Sequence, residues 1–128
     1  MKMEYLSSGS ADCPLIRLYD FTPDEVAQLC DVFASLASGE VHTVALHEQP
    51  FVQPLHECGL TLRAEKEDTG IVEVDERRFE CPLTKSGWED QKERTQPFAG
   101  DGVHGGFLWL LYDIPSEIRL LLSWDGCW

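Results

Sequence analysis

Basic residues are scarce in this chain. Ten Lys and Arg stand against 23 Asp and Glu in 128 residues, a formal charge of −13. Only Lys2 and Arg17 fall within the first 62 residues, against nine acids, and the later cations are interleaved with carboxylates. Sequence-independent affinity for nucleic acid needs clustered cations that displace counterions from phosphate, so no nucleic-acid partner is expected. The same charge disfavours an anionic membrane surface. Long apolar runs are lacking too. The most apolar stretch, residues 107–122, is cut by Asp113, Pro115, Ser116, Glu117 and Arg119. No segment reaches the roughly 20 residues that cross a bilayer. The opening Met1-Lys2-Met3-Glu4-Tyr5-Leu6 lacks the apolar run of a secretory signal. There is no CxxC pair, and Cys13, Cys30, Cys58, Cys81 and Cys127 make an odd, scattered set. A secreted domain of this size would carry an even framework, so the expectation is a soluble, cytoplasmic protein with reduced and mostly interior thiols.

Hydrophobic residues at 43% and aromatics at 10% suffice for a packed core, and the length admits one domain. Residues 1–12 read as a flexible tail in which Met3 to Leu6 add at most a short edge strand, and residues 13–128 as a single α+β domain. Residues 15–19 form a short β-type run. The clearest signal follows it. Thr22-Pro23-Asp24-Glu25 is a capping box with proline at the first helical position, and Val26, Leu29, Cys30, Phe33, Leu36 and Ala37 recur at the helical period until Gly39. Residues 41–46 read as a second strand, parallel to the first through a right-handed crossover. Two prolines make residues 47–57 an irregular connection. Residues 60–65 and 71–75 alternate around Asp68-Thr69-Gly70, which predicts a hairpin whose valines face inward and whose acids, Glu73 and Asp75, face solvent. A further extended piece spans residues 78–83. Ser86-Gly87-Trp88-Glu89 opens a second helix anchored by Trp88, and Pro97 ends it. Two apolar strands, residues 107–112 and 118–124, close the chain. The fold class is α+β: a mainly antiparallel or mixed twisted sheet of about five to seven strands with two helices packed on one face. Because the last strands are apolar on both sides, the far face needs another layer or a second copy, so a homodimer is an expectation.

Gly100-Asp101-Gly102-Val103-His104-Gly105 matches the spelling of a dinucleotide-binding fingerprint. That chemistry requires a strand before the motif and a helix N-terminus after it; here a proline precedes and a strand follows, so no cofactor is expected. His47, His56, Cys58, Cys81 and His104 include one close pair, His56-Glu57-Cys58, which falls short of the three or four converging ligands of a zinc site. No metal is expected. G-x-S-x-G is absent, and a Cys58 dyad with His47, His56 or His104 depends wholly on the fold. No catalytic residue is assigned. The ligand or partner candidates are His47, His56, Cys58, His104 and the terminal Trp128. The preferred function is a non-catalytic acidic module that binds a basic protein partner, in the manner of an inhibitor or immunity protein. The alternative is a small-ligand-binding protein or minor enzyme with its pocket near the loops at residues 47–57 and 100–106.

Overall fold

The helix expected from residue 22 is the best-formed element. Thr22 Oγ1 accepts from the Glu25 N–H at 3.2 Å, and Glu25 Oε1 accepts from the Thr22 N–H at 2.9 Å. This reciprocal cap starts α1 (Pro23–Ser38), which buries Val26, Leu29, Cys30, Phe33 and Leu36 along one stripe. Gly39 ends it with φ of 81°, a left-handed conformation that a Cβ disfavours.

The computed structural model describes residues 1–100, 105–111 and 114–128. Its strands form two mixed sheets. The first runs in the order β4 (Gln53–Pro54), β1 (Lys2–Leu6), β2 (Leu15–Tyr19), β9 (Arg119–Ser123), β8 (Phe107–Trp109). The second runs β3 (Thr43–Ala45), β5 (Gly59–Ala64), β7 (Arg78–Leu83), β6 (Val72–Asp75). With α1 and α2 (Lys85–Thr95) the class is α+β with mixed sheets, the strands being divided between two sheets instead of collected in one. Alternate residues of each sheet point to a shared core: Met3, Ile16, Leu18, Leu120 and Leu122 from the first, Leu60, Leu62, Phe79, Cys81 and Leu83 from the second. The helices join that core and each other through the Phe33–Trp88 ring stack, with centroids 5.5 Å apart.

Several pairings differ from the sequence expectation. The opening residues form an internal strand, since β1 lies between β4 and β2 with Met3 fully buried opposite Leu18. The prolines of the 47–57 connection do not prevent pairing. β4 runs parallel to β1 because Gln53 and Leu55 supply the donors, to the Met1 and Met3 carbonyls at 2.8 Å each, and Pro54 between them has no donor to lose. β2 and β3, expected as a parallel pair across α1, lie in different sheets; the parallel pairs are β1 with β4, β2 with β9 and β5 with β7.

The expected hairpin between residues 60–65 and 71–75 also gives way. β7 takes the place beside β5, and β6 is displaced to the outside of β7. Thr69 and Gly70 donate to the Pro82 carbonyl, and Asp68 Oδ1 accepts from the Thr84 N–H and hydroxyl at 2.8 Å, so the intervening segment crosses the end of β7. Burial explains the order. β7 brings Phe79, Cys81 and Leu83 to the core, while every residue of β6 is exposed. The second helix starts earlier than the Ser86 box implied: Thr84 is its cap, accepting from the Gly87 N–H at 3.0 Å.

The C-terminal segment covers part of the far face of the first sheet. Gly126, at φ 84°, packs on Tyr19 and Arg17; Arg17 Nη1 donates to its carbonyl at 2.9 Å, and the Ser123 hydroxyl donates to the Cys127 carbonyl at 2.6 Å. Phe107, on the same face opposite Ser123, stays 47% exposed.

Candidate functional site

Residues 55–58 carry the chain from β4 in the first sheet to β5 in the second. His56 and Glu57 make the turn with φ of 54° and 60°. Opposite them, at the β6–β7 turn, Arg77 has φ of 58°. Left-handed backbone costs a non-glycine residue about 1–3 kcal/mol and persists only where the surroundings enforce it. Here the two turns hold each other. Arg77 Nη1 donates to the His56 carbonyl at 3.1 Å, and the Gly59 N–H donates to the Arg77 carbonyl at 2.8 Å.

Between these turns and the end of β1 lies a cleft of about 470 Å³, lined by Tyr5, Ser7, Leu55, His56, Cys58, Glu73, Glu76 and Arg77. The Tyr5 ring closes its floor against Phe79, centroids 4.6 Å apart. Burial and the nearby Glu73 carboxylate push the Tyr5 phenol up, so it stays protonated. Glu73 therefore stands at the cleft, while Val72 and Val74 are exposed, Val74 bordering a depression on the outer face of the second sheet. This overturns the inward facing expected for the valines of β6, while Glu73 and Asp75 are exposed as expected. The register explains it: Glu73 is opposite the core residue Phe79, and Val72 is opposite Glu80.

Of the candidates, His56 and Cys58 share the cleft. His56 is exposed with Nε2 3.7 Å from Glu4 Oε2, and Cys58 is buried. Burial, then the Glu4 carboxylate, pushes the Cys58 thiol up to about 11, so it is a thiol at neutral pH and a poor nucleophile. His47 is elsewhere. Its Nδ1 accepts from the Leu60 N–H at 3.0 Å, a link between the turn after β3 and β5, and its ring borders the outer depression with Gly59 and Arg78. Trp128 is tied to the far face of the first sheet, with Nε1 donating to Asp12 Oδ2 at 2.9 Å and its ring edge-on to Trp109. His104 and most of the glycine-rich motif, residues 101–104, lie outside the described residues. Among the described residues no group of three or more His, Cys, Asp or Glu is placed to hold a metal ion.

Sequence reasoning missed Tyr5, Glu73 and Arg77. Tyr5 fell within the expected tail, Glu73 was read as exposed, which it is, but without its place beside Tyr5 at a cleft, and Arg77 carried no local signal beyond its place in a polar turn.

The thiols give a direct check on burial. In folded protein at neutral pH, iodoacetamide is expected to modify the exposed Cys127 first and to reach Cys58 only as the protein unfolds, as read by peptide mass spectrometry. Fast labelling of Cys58 in the folded state would mean that a thiolate is present in the cleft.

Comparison with protein-family models, with curated proteins and with solved structures finds no match.

Proposed function

We propose that this chain is a non-catalytic, acidic protein-binding module of the reducing cytoplasm that engages a basic protein partner, as an inhibitor or immunity-type protein does. The observation that carries the reading is the composition of one exposed element. Val72 at 36% and Val74 at 55% exposure alternate with Glu73 and Asp75 on β6, with Glu76 next in the turn. Exposed apolar area beside fixed negative charge is what a complementary basic surface recognises, and the charge of −13 steers such a partner from a distance. The Cys58 thiol, held protonated, supports a binding role over nucleophilic chemistry. Five unpaired thiols, and no described helix long and apolar enough to cross a membrane, suit the compartment.

The test is affinity purification of the tagged chain from its native cells, identification of the partner, and reconstitution of the complex from pure components. A partner with net positive charge is expected, its affinity falling about tenfold or more as salt rises from low to several times physiological. A neutral or acidic partner, or an affinity indifferent to salt, would overturn the reading. A second reading, a small-ligand-binding protein, is favoured by the cleft lined by two left-handed non-glycine residues, His56 and Arg77.

A further inference from the structure

β6 is the outermost strand of its sheet and is bonded to β7 on one side only. An isolated bridge joins Ile71 to Ile118 just before it. From Val72 to Asp75 the other side meets no partner strand among the described residues, and Val74 is 55% exposed. An unpaired edge of this kind offers a row of N–H and C=O groups to any extended chain, and its side chains decide which chain is accepted.

Those side chains have a consistent sign. Glu73 and Glu76 line the cleft, and their carboxylates have no hydrogen-bonding or ion-pairing partner among the described residues. Arg77 lines the same cleft, but its guanidinium is engaged by the His56 carbonyl and by neither carboxylate, and the Arg78 side chain lies over Gly59 on the outer face. A second copy of β6 laid along this edge would set carboxylate against carboxylate across the strands, which is destabilising, so the strand is guarded against itself. An extended segment with Lys or Arg at alternate positions has the opposite sign and the matching period.

We propose that β6 receives an extended basic segment of a partner protein as an added strand, its alternate cations meeting Glu73, Glu76 and the Tyr5 ring at the cleft and its apolar side chains lying beside Val72 and Val74. The proposal rests on the acidic-module reading and adds the mode of docking. The cleft supplies carboxylates and an aromatic face, the two groups that hold an ammonium or guanidinium; the strand edge supplies the backbone bonds.

The test uses the full chain and short capped peptides. One peptide alternates Lys and Val, a second replaces Lys by Glu, and two more are the Lys peptide N-methylated at either the odd or the even residues, so that one backbone edge at a time is blocked. The Lys peptide is expected to bind and to slow amide hydrogen exchange in Val72 to Asp75. The Glu peptide is expected not to bind. Glu73→Lys, a change at an exposed site, should weaken binding about tenfold or more. One N-methylated isomer should lose binding while the other keeps it. The proposal is overturned if the Lys peptide does not bind, if it binds without protecting β6, or if both N-methylated isomers bind as well as the parent. It is also overturned if the chain dimerises with the same amides protected, which would assign the edge to a second copy. Binding without protection of β6 leaves the acidic-module reading standing; a salt-indifferent partner in the reconstitution removes that reading itself.

Discussion

Trp88→Ala is expected to lower folding stability by about 3–5 kcal/mol, the usual range for deleting a fully buried large aromatic. The side chain is completely buried, stacks on Phe33 of α1 at 5.5 Å, and donates Nε1 to the Arg63 carbonyl of β5 at 2.8 Å. No other residue of α2 can replace it. The rest of the buried face of that helix is Gly87, Gln91 and Thr95, which supply little apolar area. One ring therefore docks α2 against α1 and the second sheet together. Natural domains hold only about 5–15 kcal/mol in total, so this single change should shift the urea midpoint severely or leave the chain partly unfolded. Trp88→Phe separates the two contributions. It keeps most of the stacked area and leaves the Arg63 carbonyl without its donor, for an expected loss of about 1–3 kcal/mol. Denaturation followed by circular dichroism measures both variants. A loss below about 1 kcal/mol for the alanine variant would mean that α2 is held by something other than Trp88.

Arg17→Met should have the next largest effect, a loss of about 2–3 kcal/mol. Its guanidinium donates to Glu4 Oε1 through Nε at 2.9 Å and Nη2 at 2.6 Å, donates to the Gly126 carbonyl at 2.9 Å, and lies over the Tyr19 ring at 4.2 Å. An exposed ion pair would contribute little, but these side chains are only 23% and 15% exposed. Removing the arginine leaves the Glu4 carboxylate nearly buried without its main partner, and frees the C-terminal segment from its Gly126 anchor on the far face of the first sheet. A double-mutant cycle with Glu4→Gln tests the assignment. The double variant should be more stable than the sum of the single losses predicts, because a neutral amide in place of the Glu4 carboxylate leaves no stranded charge. Simple additivity would show that Arg17 acts through the tail and the Tyr19 ring alone.

The boundaries of α1 were legible because their causes are local. Thr22 and Glu25 cap each other across three residues, Pro23 suits the first turn, and Gly39 adopts the conformation that ends the helix. The two terminal apolar runs were legible as strands for the same reason, although β8 is confined to Phe107–Trp109. The anchor role of Trp88 was visible in the scarcity of other apolar residues near it. The placement of β1, β6 and β7 was not legible. A strand with alternating residues states which side chains share a face, but which neighbour it takes, and which face is buried, depends on competition with every other strand in the chain. β7 displaced β6 from β5 because its inward residues are Phe79, Cys81 and Leu83, and the facing of Glu73 followed from that displacement.

The local code thus suffices for the helix ends, the apolar periods and the sign of the surface charge, since each depends on residues a few positions apart or on composition alone. The cleft is of another kind. Tyr5 comes from β1, His56 and Cys58 from the crossing between sheets, Glu73 from β6 and Arg77 from the turn after it. They meet because β4 runs parallel to β1 and β5 parallel to β7, pairings closed over long stretches of chain and paid for only when the common core of both sheets forms.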